Sequence, residues 1–378
     1  MAESNLKDVT KLALKLGVTA FGGPAAHIAM LRQDVVERHK WLTEQRFLDL
    51  LGITNLIPGP NSTEMVMHIG QERAGGKGLV AAGVAFIAPA ALITLFFAWL
   101  YMEFGTTTQG EWVLLGVKPV VLAVVGQAIW NLGRTAIKSL ALAVIGAAVL
   151  VLYLLGINEL VLLIGGAAMA GGMQMVRTRI TPPTAGLVLP WLVPLVARIE
   201  AETSHSLGQL FLTFLKTGAV LYGSGYVLLA FIEGDFVDRL GWLSKQQLLD
   251  AVAVGQFTPG PVFTTATFVG YVLGGVPGAI AATIGIFLPA FMFVALAHRF
   301  LNRMMSAAWT RPLLDGVNVA TIGLMAAVGI SLAHDAVFDW LTAVLFAIAL
   351  VLLVRYRINS ALLVVGGAVI SVAVNYLG

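Results

Sequence analysis

Cysteine is absent from the 378 residues, which excludes disulfides, thiolate metal sites and thiol redox chemistry. Charge is scarce as well. Only 11% of residues are Asp, Glu, Lys or Arg, against roughly 25% in soluble domains, too few to cover a water-exposed surface. A basic n-region followed by an apolar core and a small-residue cleavage site is also missing from Met1–Asp8, so no signal peptide is expected. What the chain has in excess is apolar length. It is 58% hydrophobic with a mean hydropathy of +0.88, and runs such as Leu79–Met102, Trp112–Leu132, Gly278–Ala297 and Leu313–Ala333 reach the ~20 residues that one bilayer crossing needs. The expected fold class is an all-α polytopic membrane protein. Its net charge of +3 suits cytoplasmic loops facing a lipid bilayer and gives no reason to expect nucleic acid.

Pro-Gly-Pro occurs twice, at Pro58-Gly59-Pro60 and Pro259-Gly260-Pro261, in two halves that can be laid on each other. At an offset of 201, Lys15 meets Lys216, Phe21-Gly22 meets Tyr222-Gly223, Trp41 meets Trp242 and Asp49 meets Asp250. At an offset of 200, Gly70 meets Gly270, Gly78 meets Gly278, Pro89-Ala90 meets Pro289-Ala290 and Gly116 meets Gly316. This is a tandem duplication, with repeats at 1–179 and 207–378 joined by a proline-containing linker at 180–206. Equivalent loops carry opposite charge. Glu103–Glu111 is acidic where His298–Pro312 is basic, and Arg134 and Lys138 stand where His334, Asp335 and Asp339 recur. The turn at Gly156–Glu159 has no base where its partner has Arg355 and Arg357. By the positive-inside rule the repeats are inverted.

Each repeat should hold five to six helices, including a pair of half-helices broken at Pro-Gly-Pro. If each broken pair is a re-entrant hairpin, five crossings per half follow, with both termini outside. If each pair crosses fully, the linker crosses too, giving about thirteen spans and an inside N-terminus.

A helix starting after Pro-Gly-Pro aims unpaired N–H groups and a positive dipole end into the cavity that tolerates such a break. Asn61, Ser62 and Thr63 in half one, and Thr264, Thr265 and Thr267 in half two, could donate to a tetrahedral oxyanion there. The alternative is a simple kink, with Glu64 closing a capping box on Asn61. Lys15 and Lys216 are the basic residues within the first apolar span of each half, Leu12–Leu31 and Leu207–Ile232. Together they offer +2 to a dianion unless they snorkel. The glycine clusters Phe21-Gly22-Gly23-Pro24 and Tyr222-Gly223-Ser224-Gly225-Tyr226 permit close helix approach or a second backbone opening. His27, Arg32, His68, Glu72 and Arg73 belong near one mouth, and His27, Glu64, His68 and Arg73 are candidates for coupling or gating. Gly70–Gly78 resembles a phosphate loop only superficially, since no Ser or Thr follows Lys77. No metal, cofactor or catalytic motif is evident, so an enzyme is not expected.

These motifs resemble the chromate ion transporter family. Phe21-Gly22-Gly23-Pro24, His27, Trp41, Pro58-Gly59-Pro60, Gly75-Gly76-Lys77-Gly78 and Pro89 look like its first-half pattern. Gln256–Pro261, Gly270-Tyr271 and Phe287–Ala290 look like the second half of its two-domain members. The resemblance implies a multi-pass protein of the bacterial inner membrane that exports chromate, with sulfate as the close analogue and a homodimer as a candidate assembly.

Overall fold

The computed structural model describes residues 2–21, 23–178, 206–222, 225–305, 310–356 and 358–377. The linker expected at 180–206, apart from Ser206, lies outside them, as do Gly22, Gly223 and Ser224. Among the described residues the chain is helical, without strands.

The first repeat runs through α1 (Ala2–Thr19), α2 (Gly23–Arg32), a π-helical turn (Gln33–Arg38), α3 (Glu44–Thr54), α4 (Asn61–Phe104), α5 (Thr108–Ala136), α6 (Leu140–Leu154) and α7 (Glu159–Thr178). The second repeats it with α8 (Leu207–Val220), α9 (Leu228–Ile232), a π-helical turn (Glu233–Arg239), α10 (Lys245–Phe257), α11 (Thr265–Met305), α12 (Thr310–Ala336), α13 (Trp340–Tyr356) and α14 (Ser360–Leu377).

Two of these helices are hairpins rather than rods. In α4 the backbone leaves helical geometry at Ala74 and Gly75, the latter at φ 63°, and α11 does the same at Gly274 and Gly275, φ 61°. Only glycine enters that region at no steric cost. The arms fold back so closely that a Cβ on Gly70 would stand 2.3 Å from the Gly78 carbonyl, and one on Gly270 2.4 Å from that of Gly278. Thr267 and Thr283, one on each arm of α11, are hydrogen-bonded at 2.7 Å. The Pro-Gly-Pro segment is a second reversal. Arg46 of α3 pairs with Glu72 of α4, and these residues are equally spaced on either side of Gly59. Pro58-Gly59-Pro60 is therefore the tip of a re-entrant hairpin whose base lies at Arg46 and Glu72.

The first apolar stretch is not a crossing either. Asn5 donates to the Arg73 carbonyl and accepts from its guanidinium, which puts the start of α1 at the hairpin base. Trp41, after α2, stacks under the same Arg73 at 4.8 Å. The chain thus rises along α1 and returns along α2 and the π turn. Leu12–Leu31, expected as one span, is two arms, α1 and α2, that run in opposite directions.

The helix directions settle the relation between the halves. The long arm of α4 starts at the first hairpin base and packs on α1, where Gly17 meets the Phe86 carbonyl. It then passes the second Pro-Gly-Pro at Ala90 and continues down the second hairpin. Thr94 meets Thr264, Phe97 meets Phe257, and Tyr101 reaches Asp250 near that hairpin's far end. The two hairpin bases therefore stand at opposite ends of one helix, and the second tip lies against Ala90 near its middle, as the first lies against Ala290 of α11. Beyond that core the repeats interlock. The last two helices of each pack on the long fifth helix of the other, with α5 against α13 and α14, and α12 against α6 and α7. Glycines make the closest approaches: Gly116 with Gly367, and its counterpart Gly316 with Gly166.

Among the described residues five helices are long and apolar enough to cross a membrane, including Thr108–Ala136, Arg311–Ala336 and Ser360–Leu377, with shorter apolar helices such as Leu140–Leu154 and Trp340–Tyr356 beside them. Apolar side chains cover the outer surface, for example Leu92 on α4 and Leu362 on α14, while Trp340, Tyr356 and Tyr376 are exposed at helix ends, where amphipathic rings favour the lipid headgroups. Each half then has two hairpins and four crossings. Gly171 lies on Leu313 near the start of α12, and Leu207 lies on Gly274 at the second hairpin's base. Thr178 and Leu207, and likewise Ala2 and Leu377, are thus at opposite faces. The ten-crossing arrangement with both termini outside is corrected: its hairpins are present, but α1 is an arm and not a span, which changes the parity. The face holding Arg46, Arg73, Arg134 and Lys138 is the basic one, the side that the positive-inside rule expects in the cytoplasm.

The absence of native cysteine makes this topology directly testable. A cysteine placed at Ala2 should react with an impermeant maleimide only after cell permeabilisation, and one at Leu377 without it. Gly316→Val should destabilise the protein by about 1–3 kcal/mol through overpacking, read as a lowered melting midpoint in detergent. Gly366→Ala, where an added Cβ meets nothing within 4 Å, should leave the midpoint unchanged.

Candidate functional site

At the meeting point each Pro-Gly-Pro is bonded to the opposite repeat. The Gly59 N–H donates to the Leu221 carbonyl at 2.8 Å, and the Gly260 N–H donates to the Ala20 carbonyl at 2.9 Å. Leu221 and Ala20 are themselves equivalent residues, each just past the end of α8 or α1. The geometry needs glycine. Gly59 has φ 136° and Gly260 φ 86°, and a Cβ on Gly260 would stand 2.6 Å from that of Ala90. Tyr222 adds a third bridge from its hydroxyl to the Leu56 carbonyl, at 3.4 Å.

Around this junction the structure gathers most of the residues expected there. Pro60 is the N-cap of α4, with no side-chain cap bond, so the capping-box alternative for Asn61 and Glu64 is not realised. Asn61 instead donates to the Asn55 side chain at 2.8 Å, leaving its own side-chain oxygen without a partner. Ser62 lies 3.2 Å from Nδ1 of His27, whose Nε2 is 3.1 Å from the Ala20 carbonyl. One imidazole therefore ties the first tip to the carbonyl that receives Gly260. Thr63 and Glu64 are fully buried, and neither the Thr63 hydroxyl nor either Glu64 oxygen has a hydrogen-bond partner. In the second tip Thr264 donates to the Pro261 carbonyl and receives Thr94, while Thr265 donates to the Val262 carbonyl. Thr267 is taken up by Thr283 in the α11 hairpin. His68 is buried one turn beyond Glu64. Phe21, next to the Ala20 that receives Gly260, is exposed, and Gly23 takes φ 76° at the start of α2. Arg73 is not at the junction. It caps the mouth with Asn5 and Trp41, and Glu72 with Arg46 belongs to the same level. Arg32 lies nearby on the surface, bonded to Glu37 and Glu44, and this partnership holds the Glu44 carboxyl below its usual range.

The lysines differ from expectation. Lys15 pairs with Asp34 at 2.9 Å and Arg38 shares that aspartate at 3.0 Å. Lys216 pairs with Asp235 at 2.6 Å and Arg239 joins at 2.9 Å. Neither lysine is the free point charge read from the sequence. Each is one corner of a Lys–Asp–Arg triad, with the aspartate supplied by a π-helical turn. The second triad is buried throughout its Lys–Asp pair, while the Lys15 side chain is 49% exposed.

Sequence reasoning missed a third ion pair, and this one is buried. Lys118 of α5 stands 3.3 Å from Asp250 of α10, with both side chains under a tenth exposed, and the Tyr101 hydroxyl donates to the same carboxylate at 3.0 Å. The signal was present: a lone lysine in an apolar helix, replaced by Asn318 in the other half. This pair fastens the second hairpin to α4 and α5 of the first repeat, and the first hairpin has no equivalent among the described residues.

Two helical repeats with a broken helix pair in each are an architecture that many membrane transporters share. The chain belongs to the chromate transporter family, whose sequence pattern matches residues 7–172 and 208–372, one copy on each repeat. It is 33% identical to a chromate transport protein of Pseudomonas aeruginosa over 85% of this chain and 79% of that one. It is 29% identical to one from Cupriavidus metallidurans, over 98% and 93% of the two chains. A probable chromate transport protein of Synechococcus elongatus is 29% identical over 92% and 89%. No solved structure matches the chain.

Breaking the buried pair should show whether it is a fastening. Lys118→Met alone leaves an uncompensated buried carboxylate and should cost about 3–5 kcal/mol. Combining it with Asp250→Leu should recover most of that loss, measured as melting midpoints of the purified protein with and without the second change.

Proposed function

We propose that this protein exports chromate across the bacterial inner membrane by alternating access, with one repeat rocking against the other around the paired tips. The observation that carries this is the reciprocal bonding of Gly59 to Leu221 and Gly260 to Ala20. Because each tip is held by the other repeat's first hairpin, movement of either repeat changes both tips together. The oxyanion is held between the helix starts at Ser62, Thr63, Thr264 and Thr265, with Asn61, Phe21 and Tyr222 around them. The triads of Lys15 and Lys216 supply the positive field behind it, and His27 links the two tips.

The energetics suit export. One charge moving through 100 mV is worth about 2.3 kcal/mol, so a dianion leaving a negative-inside cell gains about 4–5 kcal/mol. That sustains a gradient on the order of a thousandfold at 1.4 kcal/mol per decade. Sulfate has the same charge and shape, so uptake of sulfate is the alternative that a transport assay must separate.

Expression in a chromate-sensitive bacterium should raise chromate resistance. Gly260→Ala and Lys216→Met should each abolish that gain while protein remains in the membrane. Full resistance in the Lys216 variant contradicts the role of its triad. In vesicles, chromate counterflow that sulfate does not match supports export of chromate, whereas faster sulfate uptake favours the alternative.

A further inference from the structure

The first tip carries a group that an anion site should repel. Glu64 is 0% exposed, and neither carboxylate oxygen has a hydrogen-bond partner. It lies directly against the Pro-Gly-Pro turn: a Cβ on Gly59 would stand 2.2 Å from its Oε1. The equivalent position in the second half is Thr264 or Thr265, so the acid is a feature of one tip only. Among the described residues neither of its oxygens accepts a hydrogen bond from a lysine or an arginine.

We propose that Glu64 is a proton-binding site, and that the oxyanion and a proton occupy the junction together. An ionised carboxylate without partners in a buried site costs several kcal/mol, and an oxyanion beside it adds like-charge repulsion. Both costs vanish when the carboxyl oxygen holds a proton. The protonated acid also becomes a donor, which the anion can accept. The groups facing it are few. His68 lies one turn on along the same helix and His27 of α2 reaches the same first turn through Ser62. From the second repeat come Tyr222, which follows the Leu221 bonded to Gly59 and reaches the Leu56 carbonyl, and the apolar Ala290 of α11 beside Gly59. Neutral Glu64 would make each cycle carry one proton with each dianion, so export would move one net negative charge and remain driven by the membrane potential. This inference rests on the proposed anion site, and it adds a coupling ion to it.

The test uses purified full-length protein in vesicles containing a trapped pH dye, with Glu64→Gln as the isosteric neutral variant. Wild type should carry protons with chromate, and its chromate affinity should weaken by up to about tenfold per pH unit once the pH is high enough to ionise Glu64. The variant should bind and exchange chromate with flat pH dependence and carry no protons. Proton movement persisting in the variant, or lost instead in His68→Gln, overturns the assignment. A second measurement needs no chromate. The infrared band of a protonated carboxyl, present at neutral pH in wild type and missing in Glu64→Gln, supports the proton site even if chromate is not the cargo, and its absence from wild type overturns it.

Discussion

A peptide group inside a bilayer has to find its hydrogen bond within the protein, and the two glycines at mid-depth find theirs in each other's repeat. Gly59 bonds to the carbonyl after α8 and Gly260 to the carbonyl after α1. Everything else about the junction follows from that exchange. The flanking prolines cannot donate, so the glycine N–H is the donor at each tip. The accepting carbonyls, at Ala20 and Leu221, are free because α1 and α8 stop there. Breaks that would be costly in an isolated repeat become mutual supports when two inverted copies meet.

The same economy recurs further out. Glycine pairs let the fifth helix of each repeat lie directly on the seventh of the other, with Gly116 on Gly367 and Gly316 on Gly166. Each repeat therefore completes its partner's packing, and neither has a full set of helix contacts alone. The symmetry is broken at chosen places. Glu64 faces a threonine position, Lys118 faces Asn318, and the Lys216 triad is buried where the Lys15 triad is half open. Such differences let one tip and one face behave unlike the other during a cycle.

Much of this was legible in the sequence, for physical reasons that can be named. Tandem Pro-Gly-Pro and glycines at constant offset are local signals, and they sufficed for the two-repeat layout that the family pattern matches. What was illegible depended on partners far along the chain. Leu12–Leu31 reads as a span because hydropathy counts apolar residues and cannot distinguish one crossing from two arms joined at a turn. Lys15 and Lys216 looked unpaired because their aspartates lie 19 residues on, in segments that read as charged loops and are in fact π-helical turns packed beside the lysines. Glu64 looked like a cap because its spacing from Asn61 fits one, but Pro60 takes the cap position.

The central claim is that the two tips meet at one site and must part for transport. Thr94 on the long arm of α4 and Thr264 at the second tip are 3.2 Å apart between hydroxyls, and the chain has no cysteine to interfere. Cysteines at both positions should be joined by mild oxidation. The account predicts that the cross-linked protein loses chromate counterflow in vesicles and regains it on reduction. Undiminished counterflow with the link intact would contradict it.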